Sequence, residues 1–191
     1  DLDISNEAFP YMHMKSAELA GAPCHLLRIG FTGELSYEIH VPSGYALHVW
    51  EALIQAGQSF GISPFGMEAQ RILRLEKSHI IVGQDTDALS DPIAADMAWA
   101  VKLDKVDFLG QRPLRRINEE GPSNMLTGFK MASPRTVPHE GHQIVNQGSN
   151  NKMETIGWVT SSRFSPTLGE TIGLCWLPAD LASQNDARFS I

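Results

Sequence analysis

The stretch NEEGPSN, Asn118–Asn124, separates two kinds of pattern in the sequence. It is polar, and its adjacent Gly121 and Pro122 interrupt helix and strand alike. On its C-terminal side come short pieces rich in apolar residues, MLTGFKM, HQIVNQ, ETIGWVT and TIGLCWL, separated by Gly, Pro, Ser and Asn. That spacing predicts a small antiparallel barrel or sandwich. On its N-terminal side helix-like and strand-like segments mix. The expectation is an α+β chain: residues 1–118 form the mixed part, 119–124 a linker, and 125–191 a β-barrel.

Working back from that boundary, QRPLRRIN predicts a helix with Pro113 in its first turn, where the missing N–H costs least. HIIVGQDTDALSDP lacks clear periodicity and reads as a loop carrying Asp85, Asp87 and Asp91. GQDTD invites a calcium reading, but the EF-hand ligand order and its terminal Glu are missing, so no metal is expected. MEAQRILRLEKS predicts a helix with Met67, Arg71 and Leu75 in one row, which gives Arg71 apolar neighbours above and below. Arg71 has two readings, an i, i+3 surface pair with Glu68 or a cation facing a site.

Further back, YALHVWEALIQAG predicts an amphipathic helix with Ser43 as its cap and Gly57 at its end. Leu47, Trp50, Leu53 and Ile54 form its packing stripe. GFTGELSYEIHVP, Gly30–Pro42, reads as a short β-hairpin. In its second arm Tyr37, Ile39 and Val41 alternate with Ser36, Glu38 and His40, so Glu38 and His40 share a face. Glu38 is either a solvent-facing strand carboxylate beside His40 or a carboxylate that accepts paired hydrogen bonds from an amidine-like ligand edge.

Composition narrows the function classes. The 191 residues carry a formal charge of -7, which argues against general attraction to nucleic acid or anionic lipid. No apolar run approaches the roughly 18 residues of a membrane helix, and DLDISNEAFP resembles neither a signal nor a transit peptide. Cys24 and Cys175 lack metal-ligand spacing and read as free thiols in a reducing, cytoplasmic setting. His139 and His142 have no zinc-spaced partner, and no GxSxG or phosphate-cradling loop occurs.

Five segments, RIGFTGELSYEIHVP, GMEAQRILRLEK, IVGQDTD, AWAVKLDKVDFLGQRPL and GWVTSSRFSPTLGETIGL, occur in the order seen in the glycine cleavage T-protein (aminomethyltransferase) family. Within it, SNEAFPYM, GELSYEI and IIVGQDTD are most similar to the C-terminal folate domain of the sarcosine oxidase alpha subunit, with dimethylglycine dehydrogenase a close relative. The resemblance implies folate-binding subdomains followed by a β-barrel, and tetrahydrofolate as cofactor. It implies flavin and NAD only in other parts or subunits, and flavin-containing subunits of a hetero-oligomeric oxidase as partners. It puts Glu38 on the pterin ring, Arg71 in the folate site, and Trp99 as a wall for an aromatic ring of the ligand. Tyr37, the aromatic before the glutamate, stands beside them, packing rather than binding. The family's catalytic aspartate lies in an N-terminal portion absent from these residues, so no catalytic residue is expected here and the chain alone should not turn over. Two other readings stay open, a glycine cleavage T-protein or other folate-dependent demethylase, and a catalytically silent folate-binding or assembly module. The segment AADMAW, which stands where the family has glycines, keeps the last one alive.

Overall fold

The computed structural model describes residues 2–147 and 152–191. Its contacts divide the chain into two compact units, Asp1–Leu73 and Arg74–Ile191.

The first unit is built on a three-stranded antiparallel sheet in the order β1-β2-β3. β1 (Met14–Leu19) and β2 (Ala22–Leu27) form a hairpin whose turn, Ala20 and Gly21, has φ of 51° and 79°. β3 (Glu38–His40) pairs with β2 through His25↔His40 and Leu27↔Glu38. The hairpin expected within Gly30–Pro42 is therefore absent: only three of its residues are strand, and their partner lies upstream. The left-handed Gly33, φ 88°, helps the intervening chain bend instead of pairing. Arg28 is buried and ties the N-terminal segment to the end of β2. Its guanidinium donates to Phe9 O at 2.7 Å, to Ile4 O and to Asn6 Oδ1.

A single 3-10 turn, Ser43–Tyr45, leads into α1 (Ala46–Gly57). Ser43 makes no side-chain cap bond, because that turn supplies the entry in its place. The expected packing stripe is also corrected. Val49 is the buried residue of α1, whereas Leu47 and Trp50 face outward, 69 % and 53 % exposed. α2 (Met67–Glu76) follows, and the division between units falls inside it.

In the second unit, α3 (Gln111–Glu120) precedes a four-stranded antiparallel sheet in the order β4-β7-β6-β5. These strands are β4 (Asn124–Lys130), β5 (Gln143–Gln147), β6 (Met153–Ser165) and β7 (Glu170–Pro178). Central β7 is buried on both faces, and alternation sorts its side chains. Ile172, Leu174 and Trp176 join Leu75, Ala94, Ala95 and Leu126 in one cluster. Cys175 and Leu177 join Phe129, Ile144 and Val159 in the other, backed by Leu181, Phe189 and Ile191. Full burial of a side chain such as Ile144 or Leu177 contributes about 1.5–3 kcal/mol. Gly173 is required where it stands, since a Cβ there would overlap Ser161 O and the Phe129 ring. A short α4 (Ala179–Ala182) follows β7, and Ser190 bridges back to Val145 of β5.

Candidate functional site

The alternation of β3 puts Glu38 and His40 on one exposed face, with Ile39 half-buried between them. Glu38 Oε2 lies 3.1 Å from His40 Nε2, both side chains more than half exposed. A carboxylate offers about four lone-pair directions, so the bond to His40 leaves acceptor capacity for a ligand edge with two adjacent N–H groups. A hollow of about 420 Å³ lined by Ser16, Cys24, His25, His40 and Pro42 borders this strand. Tyr37 packs more than it presents: its ring lies 6.0 Å from Phe9, with the Arg28 guanidinium 5.9 Å from its centre.

Arg71 forms the i, i+3 pair with Glu68 at 2.8 Å, its side chain 42 % exposed. An exposed pair of this kind is worth roughly 0–1 kcal/mol, so a ligand anion can displace Glu68 at little cost. Neither Glu38 nor Tyr37 is hydrogen-bonded to Arg71. Trp99 belongs to the second unit, in the 3-10 turn Ala98–Ala100, 67 % exposed with its ring free to stack on a ligand. The preceding AADM segment explains its outward pose. Ala94 and Ala95 pack in the core, and Asp96 takes a left-handed φ of 57°, a conformation Asp tolerates better than most residues.

The most tightly organised polar group in the described chain is one that sequence reasoning missed. Arg74 and Asp85 form an ion pair at 2.6 Å with side chains 1 % and 0 % exposed. Asp85 Oδ2 also accepts Ile81 N–H at 2.7 Å, while Oδ1 accepts the hydroxyls of Thr160 and Ser161. Its backbone carbonyl accepts Trp176 Nε1–H at 2.8 Å. Arg74 donates further to His79 O and Ser161 Oγ, and Gln84 Nε2 donates to Ser161 Oγ. The carboxylate is fully buried and accepts four bonds from protein donors; it locks the GQDTD loop to β6 and β7. The acidic run is thus a fold device. Asp91 instead caps the Ile93 and Ala94 N–H groups, and Asp87 accepts from Ser90 and Leu89, which holds its carboxyl below the ordinary range. No cluster of metal-ligating side chains occurs among the described residues. Cys24 and Cys175 are free and buried, and desolvation pushes the Cys175 thiol up to about 12.

Comparison with known proteins adds three findings. Residues 1–105 match the family model described as the GCVT N-terminal domain, and residues 124–191 the glycine cleavage T-protein C-terminal barrel domain. An aminomethyltransferase of Halothermothrix orenii is 37 % identical over 184 residues, covering 96 % of this chain and 50 % of that protein. A sarcosine oxidase subunit alpha of Corynebacterium sp. strain P-1 is 41 % identical over 182 residues, covering 91 % of this chain and 18 % of that protein. The solved structure of glycine cleavage system aminomethyltransferase T from Bartonella henselae superposes with a TM-score of 0.78 at 24 % identity. It covers 97 % of this chain and 51 % of its own, so the likeness is one of fold. The chain spans about half the length of the aminomethyltransferases it matches.

Proposed function

Since the chain belongs to the glycine cleavage T-protein family, an aminomethyltransferase-type family of enzymes, we propose that it is the C-terminal part of a tetrahydrofolate-dependent domain of the sarcosine oxidase alpha kind. In this reading a one-carbon unit from an oxidised amine is captured as 5,10-methylenetetrahydrofolate. Flavin-bearing subunits carry out the oxidation. The observation that carries the reading is the pair of family matches in order along nearly the whole chain, together with the 41 % identity to a sarcosine oxidase subunit alpha.

The residues present fit a folate. A pterin edge offers an N–H and an amino group side by side, and the exposed Glu38 carboxylate has acceptor capacity for both while keeping His40. Arg71 is a planar cation held only by a surface carboxylate, suited to an anionic group. Trp99 presents an open ring face for stacking. The cofactor supplies the nucleophilic nitrogen and carries the one-carbon unit. The protein's own part is to bind and orient it, a proximity effect. Catalytic acid–base groups then come from polypeptide outside these residues, and the chain alone is inactive. Free, buried thiols accord with a cytoplasmic setting.

The match to an aminomethyltransferase at 37 % identity over 96 % of the chain favours a second reading, a glycine cleavage T-protein whose donor is a carrier-bound aminomethyl group. Native partners discriminate between the two, since flavin subunits support the first and a lipoyl carrier the second. The folate step common to both is tested by calorimetric titration of 5-formyltetrahydrofolate into the chain and its Glu38→Gln and Arg71→Ala variants. Binding that weakens at least about tenfold in Glu38→Gln is the expected result, equivalent to roughly 1.4 kcal/mol. Wild-type binding unchanged by both substitutions removes Glu38 and Arg71 from the site, and no binding in any longer native form leaves a silent assembly module.

A further inference from the structure

The second unit contains a hollow of about 470 Å³, walled by the loop that follows the buried Asp85, by the end of α3 and the chain leading from it into β4, and by two tryptophans of the sheet. Its volume falls in the roughly 300–1,000 Å³ range of small-molecule sites. Every lining residue belongs to Arg74–Ile191, and Glu38, Arg71 and Trp99 are not among them. A ligand here is therefore independent of the folate reading.

Sheet register makes one wall. Trp158 of β6 is the direct partner of Trp176 of β7, so the two indoles share a face and stack at 6.2 Å with 26° between their planes. Trp176 is buried and donates its Nε1–H to the Asp85 carbonyl, whereas Trp158 is 45 % exposed and lines the hollow. An indole face attracts a cation through its quadrupole. Asp87 and Asp91 line the same hollow. Asp87 Oδ1 accepts from Leu89 N–H, Ser90 N–H and the Ser90 hydroxyl, and Asp91 Oδ1 accepts from the Ile93 and Ala94 N–H groups. Among the described residues no side-chain bond engages either Oδ2, which leaves acceptor capacity on both carboxylates. α3 adds Glu120 and, at its C-terminus, the negative end of its dipole.

Arg116, one turn before Glu120 on α3, is the cation of this lining. It has no ion pair or hydrogen bond among the described residues, so the opposite charges around the hollow stand unpaired with one another. A bare anion entering here meets three carboxylates and a helix C-terminus. A bare cation leaves Arg116 without a counter-charge. A molecule that carries both charges meets neither cost. We propose that this hollow is a binding site for a small zwitterion, with an ammonium and a carboxylate a few bonds apart. The ammonium lies on the Trp158 face beside the Asp87 and Asp91 carboxylates, and the carboxylate on the Arg116 guanidinium, whose fork suits a planar anion. Amino acids and their N-alkyl derivatives, betaines included, are that chemical class.

The test uses glycine betaine and two near-isosteres. In tert-butylacetate carbon replaces the ammonium nitrogen, and in choline a hydroxymethyl group replaces the carboxylate. Each is titrated into the isotope-labelled chain while the indole N–H signals of its 4 tryptophans are followed by NMR, that of Trp158 being identified by its loss in Trp158→Phe. Betaine is expected to shift the Trp158 signal with a Kd of about 1 mM. Both near-isosteres bind about threefold or more weakly. Arg116→Gln, at an exposed position, brings betaine down to the level of choline. Asp91→Asn keeps the Oδ1 cap but removes the charge, so it weakens betaine and choline and leaves tert-butylacetate no weaker. Circular dichroism and the unmoved signals of the other tryptophans confirm that both variants are folded. No shift of the Trp158 signal with betaine, either near-isostere binding as tightly as betaine, or betaine binding indifferent to both substitutions overturns the proposal.

Discussion

Arg71 and Arg74 stand three residues apart in α2 and have opposite surroundings. Arg71 pairs with Glu68 one turn earlier, both groups well exposed. Arg74 pairs with Asp85 with neither side chain open to water, and the pair gathers Thr160, Ser161, Gln84 and His79 around it. Removing two charges from water costs several kcal/mol per ion, which close pairing and further hydrogen bonds must offset. The Asp85 carboxylate accepts four bonds, which is why it can stay buried. The exposed pair has no such requirement. The lesson is that an arginine buried with its counter-ion and tied by both terminal nitrogens to protein acceptors belongs to the fold, whereas one held by a single exposed carboxylate is available to a ligand.

Breaking the buried pair gives the largest expected effect. Asp85→Ala leaves the buried Arg74 guanidinium without its counter-charge and takes an acceptor from the Thr160 and Ser161 hydroxyls, and is expected to destabilise the second unit by about 3–5 kcal/mol in urea unfolding followed by tryptophan fluorescence. A loss under about 1 kcal/mol would show that the network is not what holds the loop. Trp176→Phe is milder. It keeps an aromatic opposite Trp158, 6.2 Å away, but leaves the Asp85 carbonyl without its indole donor, for an expected cost of roughly 1–3 kcal/mol. A cost equal to that of Asp85→Ala would mean that ring volume, not the hydrogen bond, is what matters.

Sequence patterns reveal the local half of this contrast and miss the distant half. Glu68 and Arg71 are linked by helical spacing, as Glu38 and His40 are by strand alternation, so both surface pairs can be read from a few residues. The row Met67, Arg71, Leu75 suggests an arginine among apolar neighbours. Arg74 sits only about 60° from Arg71 on the wheel, and nothing local says which of the two turns inward. What decides it lies 11 residues on at Asp85 and 87 residues on at Ser161. The same blindness shortens β6. SSRFS looks like the polar end of a strand at Thr160, yet β6 runs to Ser165, because Thr160 and Ser161 bond Asp85 and Ser165 bonds Glu76. The β1–β2 hairpin hides for a different reason, since its turn places Ala20 at a positive φ usually marked by Gly or Asn.

Cys175 sharpens the comparison from the other core cluster. Its thiol is raised from 9.0 to about 12 by burial, so the folded state holds a proton that the unfolded chain releases. For an acid with a raised folded value, the sign is fixed. Stability is full below pH 9 and falls as pH rises from 9 toward 12. The expected loss is ~1.4 kcal/mol by pH 10, read as the difference in pH dependence between the wild-type chain and Cys175→Ala. The native thiol should also resist alkylation at pH 8 until urea unfolds the chain. Ready labelling without denaturant would mean that this cluster opens locally.

The smallest expected stability change is the most discriminating. Arg71→Ala removes an exposed pair and should alter unfolding free energy by no more than about 0.5 kcal/mol, with a difference that shrinks further in high salt. If it costs as much as Asp85→Ala, the two arginines are not different in kind and Arg71 is another part of the scaffold. If stability holds while folate titration weakens, the side chain acts on the ligand. Arg71→Lys then separates charge from shape: it keeps the cation but lacks the planar fork, so binding that survives in Lys assigns Arg71 a general electrostatic role. Binding lost in Lys as in Ala assigns it a two-pronged contact with a planar anion. Either result turns on an arginine that the fold leaves open to water and held by one exposed carboxylate, and that is what distinguishes it from its buried neighbour one turn along the helix.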